Sequence, residues 1–189
     1  IDDLVDFPHS GIIKGLNQLK KPVLQISDLT ITLPKNADRK YAVENANLDV
    51  FKGEILFIVG ESGSGKTVMT SAILNDVPTS LSVTSGKIIF KDQDILQLSQ
   101  KELNKLRGAN ISMIYQEPMA ALNPSIRVGK QVDEVYALHR PEIKAEDRKK
   151  ATLELFDQMK LPNPERIYSS YAHQVSGGQC QRIVIAMAL

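Results

Sequence analysis

The sequence predicts an α/β fold, and three observations carry that expectation. Residues 55–59, ILFIV, form a short all-apolar run of the kind that fills a strand buried on both faces of a parallel sheet. A glycine-rich turn, GESGSG at 60–65, follows at once, and from Lys66 to about Leu74 the pattern becomes helical. Ahead of this unit, the alternation in VLQISDLTITL from Val23 and a second extended run from Tyr41 to Phe51, with the polar turn PKNADRK between them, predict antiparallel strands of a small sheet.

The remaining elements follow in order. Residues 1–21 have apolar positions at Leu4, Val5, Phe7, Ile12, Ile13 and Leu16, broken by Pro8 and Gly11, and read as an N-terminal extension: a short docking helix or a loosely packed arm. Residues 86–92 and 111–115 read as further strands, with a polar helix between them around Gln100 to Leu106. After Asn123-Pro124 the chain turns helical in VGKQVDEVYALH and AEDRKKATLELFDQMK, parted by Pro141. The segment LPNPERIYSSYAHQ reads as a loop, and CQRIVIAMAL as a buried final helix. Both ends look like cuts in a longer protein.

Composition narrows the class. With 189 residues, 42% hydrophobic and 24% charged, the chain has the make-up of one globular domain with a sizeable core. A net charge of +1 supplies no global field for nucleic acid, and no nucleic-acid partner is expected. Cys180 is the single cysteine, so no internal disulfide can form. No run approaches the roughly 20 apolar residues that span a bilayer, so membrane association must go through a partner.

Gly60-Glu61-Ser62-Gly63-Ser64-Gly65-Lys66-Thr67 fits G-x-x-x-x-G-K-[ST] between a predicted strand and a predicted helix. Glycines let successive N–H groups turn inward onto phosphate oxygens, and the helix N-terminus adds partial positive charge. Lys66 is expected at the β- and γ-phosphates, and the Thr67 hydroxyl on Mg²⁺. No Asn-Lys-x-Asp element for guanine occurs, since Asn104-Lys105 is followed by Leu106-Arg107. Val175-Ser176-Gly177-Gly178-Gln179 stands before the last helix. A Ser-Gly-Gly turn there is a second anion site, offering the Ser176 hydroxyl and the amides of Gly177 and Gly178. Alone, S-G-G-Q is an ordinary surface turn; downstream of a phosphate loop it is highly selective.

With both motifs in place the chain resembles the ABC ATPases, whose signature is Leu-Ser-Gly-Gly-Gln, with Val175 here in place of leucine. The resemblance implies an ABC-type phosphate-loop core binding ATP and Mg²⁺, an N-terminal antiparallel β subdomain and an inserted helical subdomain at about 123–180. It also implies a head-to-tail dimer in which Ser176, Gly177, Gly178 and Gln179 close over ATP held by a second ABC subunit, identical or not. Tyr41 resembles the aromatic that stacks on adenine, and Gln116 the Q-loop glutamine that touches Mg²⁺ and the attacking water. Segment 116–128, with Met119 and Leu122 expected at the surface, corresponds to the loop that docks on transmembrane permease subunits.

QEPMAALNP, ILQLSQKELNKLRGANISMIYQ and AHQVSGGQCQRIVIAMAL resemble the ATPases of bacterial importers for dipeptides, oligopeptides and nickel, over about Val23 to Leu189. Many members have a proline where Ala172 stands. The implied place is the cytoplasmic face of the bacterial inner membrane, as a peripheral subunit. The family's Walker B strand with its Asp-Glu, its D-loop and its switch histidine are not in this sequence, so the domain reads as partial, truncated after the signature helix, and not competent for hydrolysis. Asp133-Glu134, the only Asp-Glu pair, follows KQV and reads as a solvated helix face. His173 precedes the signature, and His9 and His139 read as surface residues. The run EDRKK at 146–150 reads as an exposed helix face, and Cys180 as packing. The alternative is a soluble ABC-type clamp in DNA repair or translation, which carries long coiled coils or linkers that this chain lacks.

Overall fold

A computed structural model describes residues 21–189, so the apolar positions of the N-terminal extension and His9 lie outside the described residues. Contacts group the chain into two compact units, the first ending at Asn104 and the second running over Lys105–Leu189.

The first unit holds an antiparallel sheet of four strands: β1 (Leu24–Thr32), β2 (Tyr41–Val50), β3 (Ser82–Phe90) and β4 (Gln93–Asp94), in the order β2-β1-β3-β4. Strand β1 buries Ile26, Leu29 and Ile31, and alternation in β3 buries Ile88 and Phe90. The β1 ladder is interrupted near Asp28, which takes φ 49° opposite register shifts to both neighbours. Asp tolerates that left-handed geometry, and Asn47 locks it: its Oδ1 accepts from Asp28 N at 3.0 Å while its Nδ2 donates to Asp28 Oδ1 at 3.2 Å. Gly86, at φ 97°, lies so close to this bulge that a Cβ would sit 2.5 Å from the Leu29 Cα.

Helix α1 spans Lys66–Ile73 and α2 spans Gln100–Leu106, both where the sequence predicts them. Ser99 Oγ and Glu102 close a reciprocal cap at the start of α2.

Two predicted strands do not form. Residues 54–60 join no strand, and Ile55, Phe57 and Val59 are 81%, 82% and 88% exposed. Residues 111–115 contribute only a single bridge, Ile111 to Arg107, and Ile114 and Tyr115 are exposed. A strand inside a parallel sheet draws its hydrogen bonds from neighbours on both edges. Among the described residues the four-stranded antiparallel sheet is the only sheet, and it pairs with neither segment.

The second unit is helical: α3 (Val128–His139), α4 (Ala145–Gln158), α5 (Pro164–Ser169) and α6 (Gly177–Ala188). Val128, Val132, Phe156, Ile167, Cys180 and Ile183 are among the residues of its core. Helix α5 lies inside the predicted loop. Pro164, within that segment, occupies the first helical position, where a missing N–H costs nothing. Within segment 118–128, Pro118–Ala121 form a 3₁₀ turn that packs on α6. No helix of the described residues is long and apolar enough to cross a membrane.

Candidate functional site

The glycine-rich loop is shaped by its backbone. Gly63 and Gly65 take φ of 80° and 90°, in the left-handed region. Ser64 N donates to Glu61 O at 3.2 Å, closing the turn. The Lys66 ammonium folds back over the loop, donating to the carbonyls of Gly60 at 2.7 Å and Glu61 at 2.6 Å and to Ser64 Oγ at 3.2 Å. Lys66 and Thr67 open α1, whose first-turn N–H groups have no intrahelical acceptor. The result is a cradle of backbone donors, a fixed cation and a helix N-terminus, which suits a polyphosphate. Thr67 is exposed beside it, a hard oxygen donor of the kind Mg²⁺ takes when phosphates and water complete its shell.

Strand β2 is pressed against this cradle. A Cβ on Gly65 would collide with the Ala42 carbonyl and lie 3.2 Å from Val43 Cγ2. Tyr41, the residue before, is half-buried at the start of β2 and paired with Thr32, with the Lys40 ammonium 4.8 Å from its ring centroid. Tyr41 is thus brought to the phosphate loop by the strand itself. Arg39, which the sequence reading passed over as turn polarity, donates from Nη2 to the Gly63 carbonyl. Only the folded loop exposes that acceptor to it.

The second unit carries the other motif. Ser176 is the N-cap of α6: its Oγ accepts from Gln179 N at 3.3 Å, and Gln179 Oε1 accepts from Ser176 N at 2.9 Å. The S-G-G-Q spacing is therefore also a capping box, a signal present in the sequence and missed there. Gly177 and Gly178 are exposed, and nothing lies within 4 Å of a Cβ built on either, so the helix start is open to an approaching group. Gln116 lies exposed on a bend just before the 3₁₀ turn. The phosphate loop and Tyr41 belong to one unit, Gln116 and Ser176 to the other.

Three surface expectations are corrected. Leu122 is 3% exposed and belongs to the helical core, while Met119 and Ile126 carry the exposed apolar surface of this segment. Asp133 is not a solvated helix position: its side chain is 12% exposed and accepts from Thr152 Oγ1 at 2.8 Å, Tyr168 Oη at 2.5 Å and Lys130 Nζ at 3.0 Å. Its partners on α4 and α5 lie far along the chain, where helix periodicity cannot reach. His139 is half-buried, its ring against Gly108. Glu134 and most of the 146–150 run are exposed as expected. Cys180 is fully buried with Sγ 3.6 Å from the Ala172 carbonyl, and burial pushes its thiol pKa up.

Comparison with known proteins gives a consistent picture. A family profile described as ABC transporter matches residues 43–189. The chain is 43% identical over 168 residues to the dipeptide transport ATP-binding protein DppD of Bacillus subtilis, covering 88% of this chain and 50% of that protein. It is 42% identical to the oligopeptide transport ATP-binding protein OppD of the same organism, covering 88% and 47%. The chain thus spans about half the length of these relatives. Among solved structures, a dimeric ATP-binding cassette in a post-hydrolysis state bound to ADP and Pi superposes with a TM-score of 0.73 at 29% identity, covering 88% of this chain and 68% of that one.

Proposed function

We propose, because the chain belongs to the ABC transporter family, that it is the ATP-binding part of an importer subunit in which ATP binding and hydrolysis drive uptake of a peptide or similar small solute. The observation that carries this reading is the cradle formed by residues 60–67, with Lys66 folded over it and β2 delivering Tyr41 to its side. In this reading the ammonium of Lys66 leaves the Gly60 and Glu61 carbonyls and pairs with the β- and γ-phosphates. The adenine stacks on Tyr41. Thr67 and Gln116 would hold Mg²⁺, which when bound neutralises charge on the phosphates during in-line attack by water. Gln116 orients that water. The protein's share is positioning and charge neutralisation.

Ser176, Gly177, Gly178 and Gln179 are read as closing over ATP held by a second ABC subunit. The open start of α6 supports this, as does the dimeric state of the cassette relative. Segment 116–128 is read as the face that docks on a transmembrane permease, through Met119 and Ile126. In this reading the subunit works at the cytoplasmic face of the bacterial inner membrane, attached through its partner. The 189-residue chain by itself is proposed to bind nucleotide and turn it over poorly. Lys66→Ala tests the central claim: titration with a fluorescent ATP analogue should show tight MgATP binding abolished, because only backbone donors remain. Unchanged affinity would reduce residues 60–67 to a turn.

A further inference from the structure

Gln131 sits on α3 between the core residues Val128 and Val132, and it is 6% exposed. A neutral amide has two donors and an acceptor to satisfy when taken out of water. Here all are used on one backbone segment outside the helix. Gln131 Oε1 accepts from Asn123 N at 2.9 Å, and Gln131 Nε2 donates to Asn123 O at 3.0 Å and to Ile126 O at 2.9 Å. The side chain thus imitates a neighbouring strand, pairing with both backbone groups of Asn123 and reaching across the turn to Ile126. Residues before this clamp are held too: Leu122 is buried in the helical core, and the Pro118–Ala121 turn packs on α6, the helix that Ser176 caps. After it, Val128 N donates to Ser170 O at 2.8 Å.

An exposed loop rich in Asn, Pro and Ser ordinarily samples many conformations. This one is fixed from the helix side, so its exposed apolar residues Met119 and Ile126 are presented in one arrangement. We infer that Gln131 is a positioning residue for permease coupling: it preorganises segment 118–127 as a rigid extension of the helical unit, so that force on the segment is passed to the signature helix rather than absorbed by the loop. The inference rests on the reading of this segment as the docking face.

The test uses the full-length ATPase assembled with its permease. In the wild type, the Asn123 amide should exchange with solvent far more slowly than a free loop amide, despite the exposure of its residue. Gln131→Met keeps the volume and removes all three hydrogen bonds. It should speed exchange through residues 122–127 about tenfold or more, leave MgATP affinity at wild-type level, and lower solute transported per ATP hydrolysed. Cross-linking to the permease from Ala121→Cys should become weak and scattered. Free-loop exchange at Asn123 in the wild type, which needs no variant, would overturn the brace. Accelerated exchange with unchanged transport per ATP would overturn the coupling role. Absence of any Ala121→Cys cross-link in the wild type, with cross-links from other faces succeeding, would remove the docking reading and the inference with it.

Discussion

Tyr41 and Cys180 show how much a single position can carry. Tyr41 stands at the first residue of β2, and the approach of Ala42 to Gly65 keeps it beside the phosphate loop. If its ring stacks on adenine, Tyr41→Ala should weaken ATP binding by about 1 kcal/mol, as for aromatic stacking elsewhere. Isothermal titration measures this, and circular dichroism must show an intact sheet. A collapse of the sheet would instead assign the ring to packing. Cys180 is enclosed at the foot of α6, and burial disfavours its thiolate. The native protein should therefore leave an aromatic disulfide reagent unreacted at neutral pH, with one thiol released on adding denaturant. Fast native reaction would mean that α6 opens readily. The phosphate loop and signature were legible in sequence because each is a contiguous string whose chemistry depends on its own backbone. Arg39 and Asp133 were not, because what each does depends on acceptors and donors brought to it by folding.

At the scale of elements, helices were legible where apolar residues recur at helical spacing between breakers, as in α3 and α4 on either side of Pro141, although neither carries a side-chain cap. Helix α5 was hidden because Pro164 signals both an interruption and a helix start. The run at 55–59 was read from its composition as a buried strand, but composition specifies only what a strand would bury. It supplies no edge to pair with, and residues 54–60 remain unpaired. Helix association in the second unit depends on Asp133, the shared acceptor for Thr152 on α4 and Tyr168 on α5. Thr152 is fully buried, so removing its partner strands a hydroxyl in the core. Asp133→Ala should cost about 2 kcal/mol in denaturant unfolding, whereas the exposed neighbour Glu134→Ala should stay within about 0.5 kcal/mol. Equal effects at the two positions would return Asp133 to the solvated face that periodicity suggested.

For the whole molecule, the two motifs make different demands. The cradle at residues 60–67 is built within one unit, and in the proposed reading nucleotide binding belongs to that unit. Turnover, in the proposed reading, needs more: a group to take the proton from water and a second subunit's signature closed over the γ-phosphate. Asp133, in the only Asp-Glu pair of the sequence, is committed to Thr152, Tyr168 and Lys130 and is not available as that base. Ile55, Phe57 and Val59 meanwhile expose apolar side chains directly before the cradle, surface that favours association. Loss of a positioned catalytic group costs roughly 10²–10⁴ in rate, and more than one is at stake. The 189-residue chain should therefore release phosphate from ATP at least about 10²-fold more slowly than a longer protein containing it. In the longer protein, residues 55–59 should become protected from hydrogen exchange. Steady-state phosphate release by the two proteins, each with and without Mg²⁺, decides the matter. Comparable Mg²⁺-dependent turnover by the 189-residue chain alone would mean that its own residues complete the catalytic machinery.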